Sequence, residues 1–431
     1  MSGAESFLDE LAWRGLLHQV TSDALGAHLA SGRRTGYAGF DPTSDSLTVG
    51  NFIPIKLLAH LQRHGHRPIV LMGGGTGLIG DPSGKSSERQ LLSAETVAAN
   101  VARQREIFAR VLDLSPTLSN RATILDNAAW LGKLGYLEVL RDVGKHFSVN
   151  AMIQRDSVAS RLREREQGIS YTEFSYMILQ AYDFLHLRRA EGCTLQMGGS
   201  DQFGNIVSGV DLIRRHEGSE AEAFGLTAPL LVKSDGTKFG KTESGAVWLT
   251  ADRTSPYAFH QYWLNVADAD VGKLLRTLTF LDRATIEGLE HAVVTRPQER
   301  EAQRRLAREM TSLLHGPTEA DRAEAAAKAL FSGELRGLDE RTLGEVFGDV
   351  PHSTHAIGEL GGEGTPLVDL LPLTSLVASK REAREFLQAG AISVNGEKAA
   401  ADRRLATADL LPGGRVLLRR GKKQWHATAW K

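Results

Sequence analysis

Arg67 to Met72 reads Arg-Pro-Ile-Val-Leu-Met, a strand candidate, and five glycines fall within the eight residues that follow it, Gly73 to Gly80. Upstream, Arg34 to Phe40 is another short strand candidate. Between the two, Phe52 to His64 carries Ile55, Leu57, Leu58 and Leu61 on a helical pattern. A strand–helix–strand unit of this kind predicts an α/β fold with a parallel sheet. In open α/β sheets, ligands bind beyond the C-terminal ends of the strands, and the glycine-rich stretch falls at such an end.

The 431 residues suffice for two to four domains. Phe7 to His18 reads as an amphipathic helix through Leu8, Leu11, Leu16 and Leu17. Thr123–Leu125, Thr194–Met197 and Leu230–Val232 are further strand candidates, and Ser255 to Leu330 is nearly all helical in pattern. Gly358 to Pro366 is glycine-rich and reads as a linker. Beyond it, Ser379 and Glu382 form a capping box for a helix that runs to Gln388 and stops at Gly390. Ala391–Val394, a turn at Asn395-Gly396 and a strand at Arg415–Arg420 complete a small α/β module. The expected divisions are 1–245, 246–357, the linker 358–366, and 367–431.

A net charge of −1 hides an asymmetry. Leu376 to Lys431 holds 12 basic against 5 acidic residues, and the rest of the chain 39 against 47. An acidic body with a basic end points to a polyanionic partner for that end. Lys380, Arg381, Arg384, Arg419, Arg420, Lys422 and Lys423 are expected to face solvent there. No run approaches the roughly 18–20 apolar residues of a membrane span. Met1 to Glu10 is acidic and resembles neither a signal nor a transit peptide. The single cysteine, Cys193, forms no internal disulfide; it fits a reducing cytosol and reads as a buried small residue. A cytoplasmic protein with no membrane partner is the expectation.

Two glycine motifs invite other readings. Gly75 to Gly80 matches Gly-x-Gly-x-x-Gly, with Glu95 near the spacing of a ribose-binding acid, which keeps a nicotinamide or flavin oxidoreductase in view. The motif follows at least the second strand, however, not the first. Gly84-Lys85-Ser86 ends like a phosphate-binding loop, but position 79, where that loop needs glycine, is Ile79.

Five segments carry more together than apart: Tyr37–Thr43, Leu47–Asn51, Gly80–Lys85, Gly198–Gln202 and Lys238–Thr242. In this order they resemble the class I aminoacyl-tRNA synthetases, specifically the bacterial-type tyrosyl-tRNA synthetases. Lys145–Asn150, Tyr171–Asp183 and Ser379–Lys398 look like family segments too, so the resemblance spans essentially the whole chain. It implies a Rossmann-like parallel-sheet catalytic domain, an α-helical domain and a small C-terminal α/β RNA-binding module. It also implies the substrates ATP, L-tyrosine and tRNA(Tyr), and a homodimer. The reaction needs positioned reactants and stabilised phosphate charge rather than a protein nucleophile.

The resemblance assigns residues. Lys238-Phe-Gly-Lys-Thr242 is similar to the KMSKS loop, which gives Lys238, Lys241 and Thr242 to ATP; Lys85 and Arg89 fall on the pyrophosphate side. Leu47–Asn51 takes the place of the HIGH signature, with Thr48 and Asn51 where the family has histidines. Both still hydrogen-bond, and neither carries charge. Thr43 and Thr48 address the γ-phosphate, and Gly50 lets the backbone approach adenine. Gly39, Asp41, Gly199 and Asp201 complete the ATP set. Tyr37 and Asp183 match the pair that holds a substrate phenol hydroxyl; phenylalanine leaves both unpaired. Asp81, Tyr176, Gln180 and Gln202 match the positions around the substrate ammonium and carboxylate. Tyr176, Gln180 and Asp183 share one helix face by their spacing.

His60 and His64 lie four apart with no acid near them in sequence, so no protein-bound metal or organic cofactor is expected; Mg2+ arrives with ATP. Thr48 and Asn51 motivate one further reading, a catalytically weak synthetase-like RNA-binding protein.

Overall fold

The computed structural model describes residues 5–83, 91–155, 158–159, 162–163, 168–237, 239–242, 245–332, 334–348, 350–421 and 424–431. The chain forms two compact units, Met1–Thr254 with Val266–Leu306, and Ser255–Asn265 with Ala307–Lys431.

The first unit is built on a six-stranded sheet. Its strands are β1 (Gln19–Val20), β2 (Thr35–Phe40), β3 (Arg67–Met72), β4 (Thr123–Asp126), β5 (Cys193–Gly199) and β6 (Phe224–Ala228), in the order β1-β6-β5-β2-β3-β4. All neighbours run parallel except the β1 edge, which is antiparallel to β6. β2 and β3 pair in register from Thr35 opposite Arg67 to Phe40 opposite Met72. The chain builds outward from β2 on one side through β3 and β4, and on the other through β5 and β6. The β2/β5 boundary is therefore the switch point, outside which ligands bind.

Leu230–Val232 is not a strand of this sheet; β6 lies upstream at Phe224–Ala228, buried throughout. Its Gly225 lets Ile206 of the helix Phe203–Glu217 pack directly on the strand, since a Cβ there would stand 2.2 Å from Ile206 Cγ2. The first helix is Phe7–Trp13, shorter than the apolar pattern, because Gly15 takes φ +70°. The next side chain, Arg14, is buried and donates to the carbonyls of Arg276, Thr279 and Leu281. Helix Phe52–Arg63 bridges β2 and β3 as the pattern predicts, and Tyr171–Glu191 ends on Gly192 at φ +63°.

The second unit combines helices with a five-stranded sheet, ordered Glu397–Lys398, Ile392–Val394, Arg415–Arg420, Gln424–Trp430 and His352–His355. Asn395 and Gly396, at φ +48° and +92°, make the tight turn between the first two strands in space. Ser379 caps its helix through Glu382 N–H at 3.2 Å, but the Glu382 carboxylate accepts from Ala378 N–H rather than from Ser379. The 358–366 stretch expected to be a linker lies inside this unit. His352–His355, before it, pairs parallel with Gln424–Trp430, and Thr365–Pro366 pairs with Arg404–Leu405. Among the described residues no helix is long and apolar enough to cross a membrane.

Candidate active site

A cleft of about 480 Å³ opens at the C-terminal ends of β2, β3 and β5. Tyr37, Gly39, Asp41, Thr43, Thr48, Gly50, Asn51, Asp81, Tyr176, Gln180, Asp183, Gly199, Asp201 and Gln202 all line it. Segments up to 165 residues apart thus converge because each follows a strand or faces one. Lys85, Arg89 and Lys238 lie outside the described residues; Lys241 and Thr242 are placed by their backbone, which pairs with Gly245–Ala246.

The floor is a buried polar network. Asp183 Oδ2 accepts from Asn127 Nδ2 at 2.8 Å, and Oδ1 from Trp130 Nε1 at 2.7 Å. Burial pushes the Asp183 carboxyl up to about 7 in spite of these donors, because removing a charge from water outweighs two hydrogen bonds here. The Tyr37 hydroxyl is buried in the same wall, with no hydrogen-bond partner among the described residues. Burial, and then the charge of Asp183, hold its pKa well above the usual phenol value. A buried hydroxyl without a partner is costly, and a ligand hydroxyl would satisfy it.

A second cluster is joined to this floor through Thr76, whose Oγ1 accepts from Asn127 Nδ2. Tyr176 Oη donates to Asp41 Oδ2 at 2.9 Å, and Thr76 Oγ1 donates to Asp41 Oδ1 at 2.8 Å. Burial followed by the Asp41 charge keeps Tyr176 protonated. Gln202 Nε2 donates to Asp81 Oδ2 at 2.7 Å, while Gln180 Nε2 donates to Gln202 Oε1 at 3.2 Å. Gln180 Oε1 in turn accepts from Asn205 Nδ2 at 2.8 Å. Four carboxylates, Asp41, Asp81, Asp183 and Asp201, line the cleft, and no Lys or Arg does among its described lining residues. Such a site suits a ligand cation such as an ammonium.

The glycines permit the approach. A Cβ on Gly73 would fall 2.2 Å from Asp41 Oδ1, and one on Gly74 2.2 Å from Asp126 Oδ1. The Gly75–Gly80 stretch opens no α-helix: it makes a short 3₁₀ turn at Thr76–Leu78, and the next described helix begins at Ala94. It therefore lacks the helix N-terminus on which a dinucleotide pyrophosphate rests.

Asn127 was not singled out from the sequence, yet it organises the floor. Its Oδ1 accepts from Gly75 N–H at 2.7 Å, and its Nδ2 reaches Thr76 Oγ1 as well as Asp183. The signal was Asn127 directly after β4, which ends at Asp126, at the end of the sheet that holds the cleft. Trp130, Thr76, Asn205 and Gln196 were also missed; Gln196 sits opposite Tyr37 across β2 and β5. At the other end, Thr48 Oγ1 donates to Asn51 Oδ1 at 2.8 Å, so the two residues in the HIGH position bond each other.

A family model described as tRNA synthetases class I (W and Y) matches residues 31–332, and one for the tyrosine–tRNA ligase SYY-like C-terminal domain matches 342–428. The chain is 51% identical to the tyrosine–tRNA ligase of Roseiflexus castenholzii over 422 residues, 98% of each chain. It is also 51% identical to that of Geobacillus kaustophilus over 97% of this chain and 98% of the relative. The chain belongs to the class I tyrosyl-tRNA synthetases. Among solved structures, a C-terminally truncated mitochondrial tyrosyl-tRNA synthetase of Coccidioides posadasii matches with a TM-score of 0.66 and 33% identity, over 75% of this chain and 92% of that one.

Among the described residues, the synthetase's C-terminal cations Lys380, Arg381, Arg384, Arg419 and Arg420 do not all share one face. Lys380, Arg381 and Arg384 are exposed on the helix Lys380–Gln388, where Lys380 pairs with Asp369 at 2.7 Å and Arg381 with Glu385 at 3.2 Å. Arg419 and Arg420 are only half exposed. As neighbours on one strand they point to opposite faces, Arg419 over the Trp425 ring and Arg420 over Phe386 and toward Glu382. Lys422 and Lys423 lie outside the described residues.

Proposed function

We propose that this synthetase is a tyrosine–tRNA ligase whose cleft selects its amino acid through Tyr37 and Asp183. The reading is carried by the buried, unpartnered Tyr37 hydroxyl in a wall it shares with a carboxylate. A substrate phenol hydroxyl donates to Asp183 and engages Tyr37; phenylalanine leaves both unpaired. Asp81, Tyr176, Gln180 and Gln202 hold the ammonium and orient the carboxylate, and Asp41 fixes Tyr176.

The tyrosine carboxylate attacks the α-phosphorus of ATP, and pyrophosphate leaves. The 3′-terminal ribose hydroxyl of tRNA(Tyr) then takes the tyrosyl group, and AMP leaves. Gly39, Gly50, Gly199 and Asp201 form the nucleotide half, with Thr43, Thr48 and Asn51 as donors toward the phosphates. Lys85, Arg89, Lys238 and Lys241 supply the charge that the described lining lacks, and Thr242 adds a hydroxyl donor. Magnesium enters with ATP as part of that substrate.

The 246–357 and 367–431 segments serve tRNA, with the exposed Lys380, Arg381 and Arg384 as contacts to its backbone and Arg419, Arg420, Lys422 and Lys423 as further cations for it. A homodimer is supported by an exposed apolar group, Tyr136, Leu137, Leu140, Val149 and Ile153, gathered on successive short helical segments between residues 136 and 153. The cytoplasm is the expected compartment. Tyrosine-dependent ATP–pyrophosphate exchange tests the function: exchange with tyrosine and none above background with phenylalanine is expected. Equal exchange with both would overturn the selection argument, and none with tyrosine would overturn the function.

A further inference from the structure

Val247, Trp248 and Leu249 are laced to the HIGH-position segment. Val49 N–H donates to Val247 O at 3.1 Å, Leu249 N–H to Leu47 O at 2.9 Å, and Val247 N–H to Gly240 O at 2.9 Å. The first two bonds flank an antiparallel bridge between Thr48 and Trp248. In such a pair the two residues carry no mutual hydrogen bond, and their side chains stand close on one face. Gly240, at φ +83°, brings its backbone against Val49 and Gly50: a Cβ there would lie 3.2 Å from Val49 Cβ. Lys241 follows immediately.

The Trp248 side chain lines the cleft and is clamped from outside it. The Arg253 guanidinium lies 4.7 Å from the indole centroid, within cation–π range. Arg253 Nε is 3.0 Å from Asp45 Oδ1, and its Nη2 donates to Ser44 Oγ. Asp45 also pairs with Arg103 at 3.4 Å, and Arg103 with Asp252. Asp45 precedes Thr48 by three residues, so the clamp ties both partners of the Thr48–Trp248 bridge to one ion-pair network. Partly exposed pairs of this sort add little to global stability, which makes a positioning role separable from a structural one.

We propose that Trp248, clamped by Arg253 and Asp45, is a positioning residue for the activation step. It sets the register of Gly240 and Lys241 against Thr48 and Gly50, and so the place of the nucleotide between them. This rests on the tyrosine-activating reading. In full-length protein, Arg253→Met is expected to lower kcat of tyrosine-dependent exchange about tenfold, with KM for tyrosine within about twofold and the urea midpoint unchanged. Arg253→Lys is expected to recover part of the rate, Trp248→Phe to outperform Trp248→Ala, and Asp45→Asn combined with Arg253→Met to lose no more than the worse single change. A wild-type rate in Arg253→Met overturns the proposal. So does a loss that tracks a lowered urea midpoint, or one shared equally by kcat and tyrosine binding. Absence of exchange in the unaltered protein would instead sink the functional reading on which the proposal stands.

Discussion

Asp183→Asn separates what the site needs from what the fold prefers. In the unfolded chain this carboxyl ionises near 3.8; in the folded chain burial raises that to about 7, against the donors Asn127 and Trp130. A folded-state pKa above the unfolded one means the contribution to stability is whole below about pH 4 and is lost as pH rises through 7. Roughly three units at about 1.4 kcal/mol each make that loss about 4 kcal/mol. Asparagine has no charge to bury. Its amide group faces one of the two donors, a pH-independent cost of about 1 kcal/mol. The stability difference between variant and wild type should therefore climb in the variant's favour by about 4 kcal/mol between pH 4 and 7 and be flat on either side. Urea unfolding of the first unit across that range measures it. Saturating tyrosine should narrow the difference, because the phenol donates to the carboxylate and not to a carboxamide in the same way. A difference that stays flat from pH 4 to 8 would refute the reasoning: Asp183 would then be an ordinary solvated acid.

Three further outcomes are expected. Tyr37→Phe removes the unpartnered hydroxyl and should raise KM for tyrosine up to about tenfold in steady-state exchange while leaving thermal unfolding unchanged or slightly higher. Gly73→Ala places a methyl against Asp41 and Thr76, a clash worth about 1–3 kcal/mol in unfolding experiments, and should weaken tyrosine activation through the displaced Asp41–Tyr176 bond. Arg384→Gln should reduce the log–log salt dependence of tRNA binding by about one, with tyrosine activation untouched.

The sheet was legible where its strands are strongly apolar: Arg67–Met72 forms over the residues its pattern indicates. The cleft's lining residues were named through the resemblance, which picked out segments that sit where strands end, while helical spacing put Tyr176, Gln180 and Asp183 on one face. Small residues hid β6, since Gly225, Thr227 and Ala228 give little strand signal. Asn127 was hidden for another reason. Its three side-chain partners, Gly75, Thr76 and Asp183, come from β3's following loop and from a helix more than fifty residues on, and nothing local announces that convergence. His352–His355 carries no apolar alternation at all; a ready-made partner strand recruits it.

That recruited strand changes what a break in the chain does. The glycines at 361, 362 and 364 lie between His352–His355 and the four strands it completes. The piece before them also carries Leu343 and Phe347, which are buried in one cluster with Leu417 and Ala427 from the piece after them. A protease that cuts at Gly361–Gly362 therefore makes two polypeptides but not two particles. The nicked protein should leave a sizing column as one species and resolve into two only on a denaturing gel, and the fragments, made separately, should find each other.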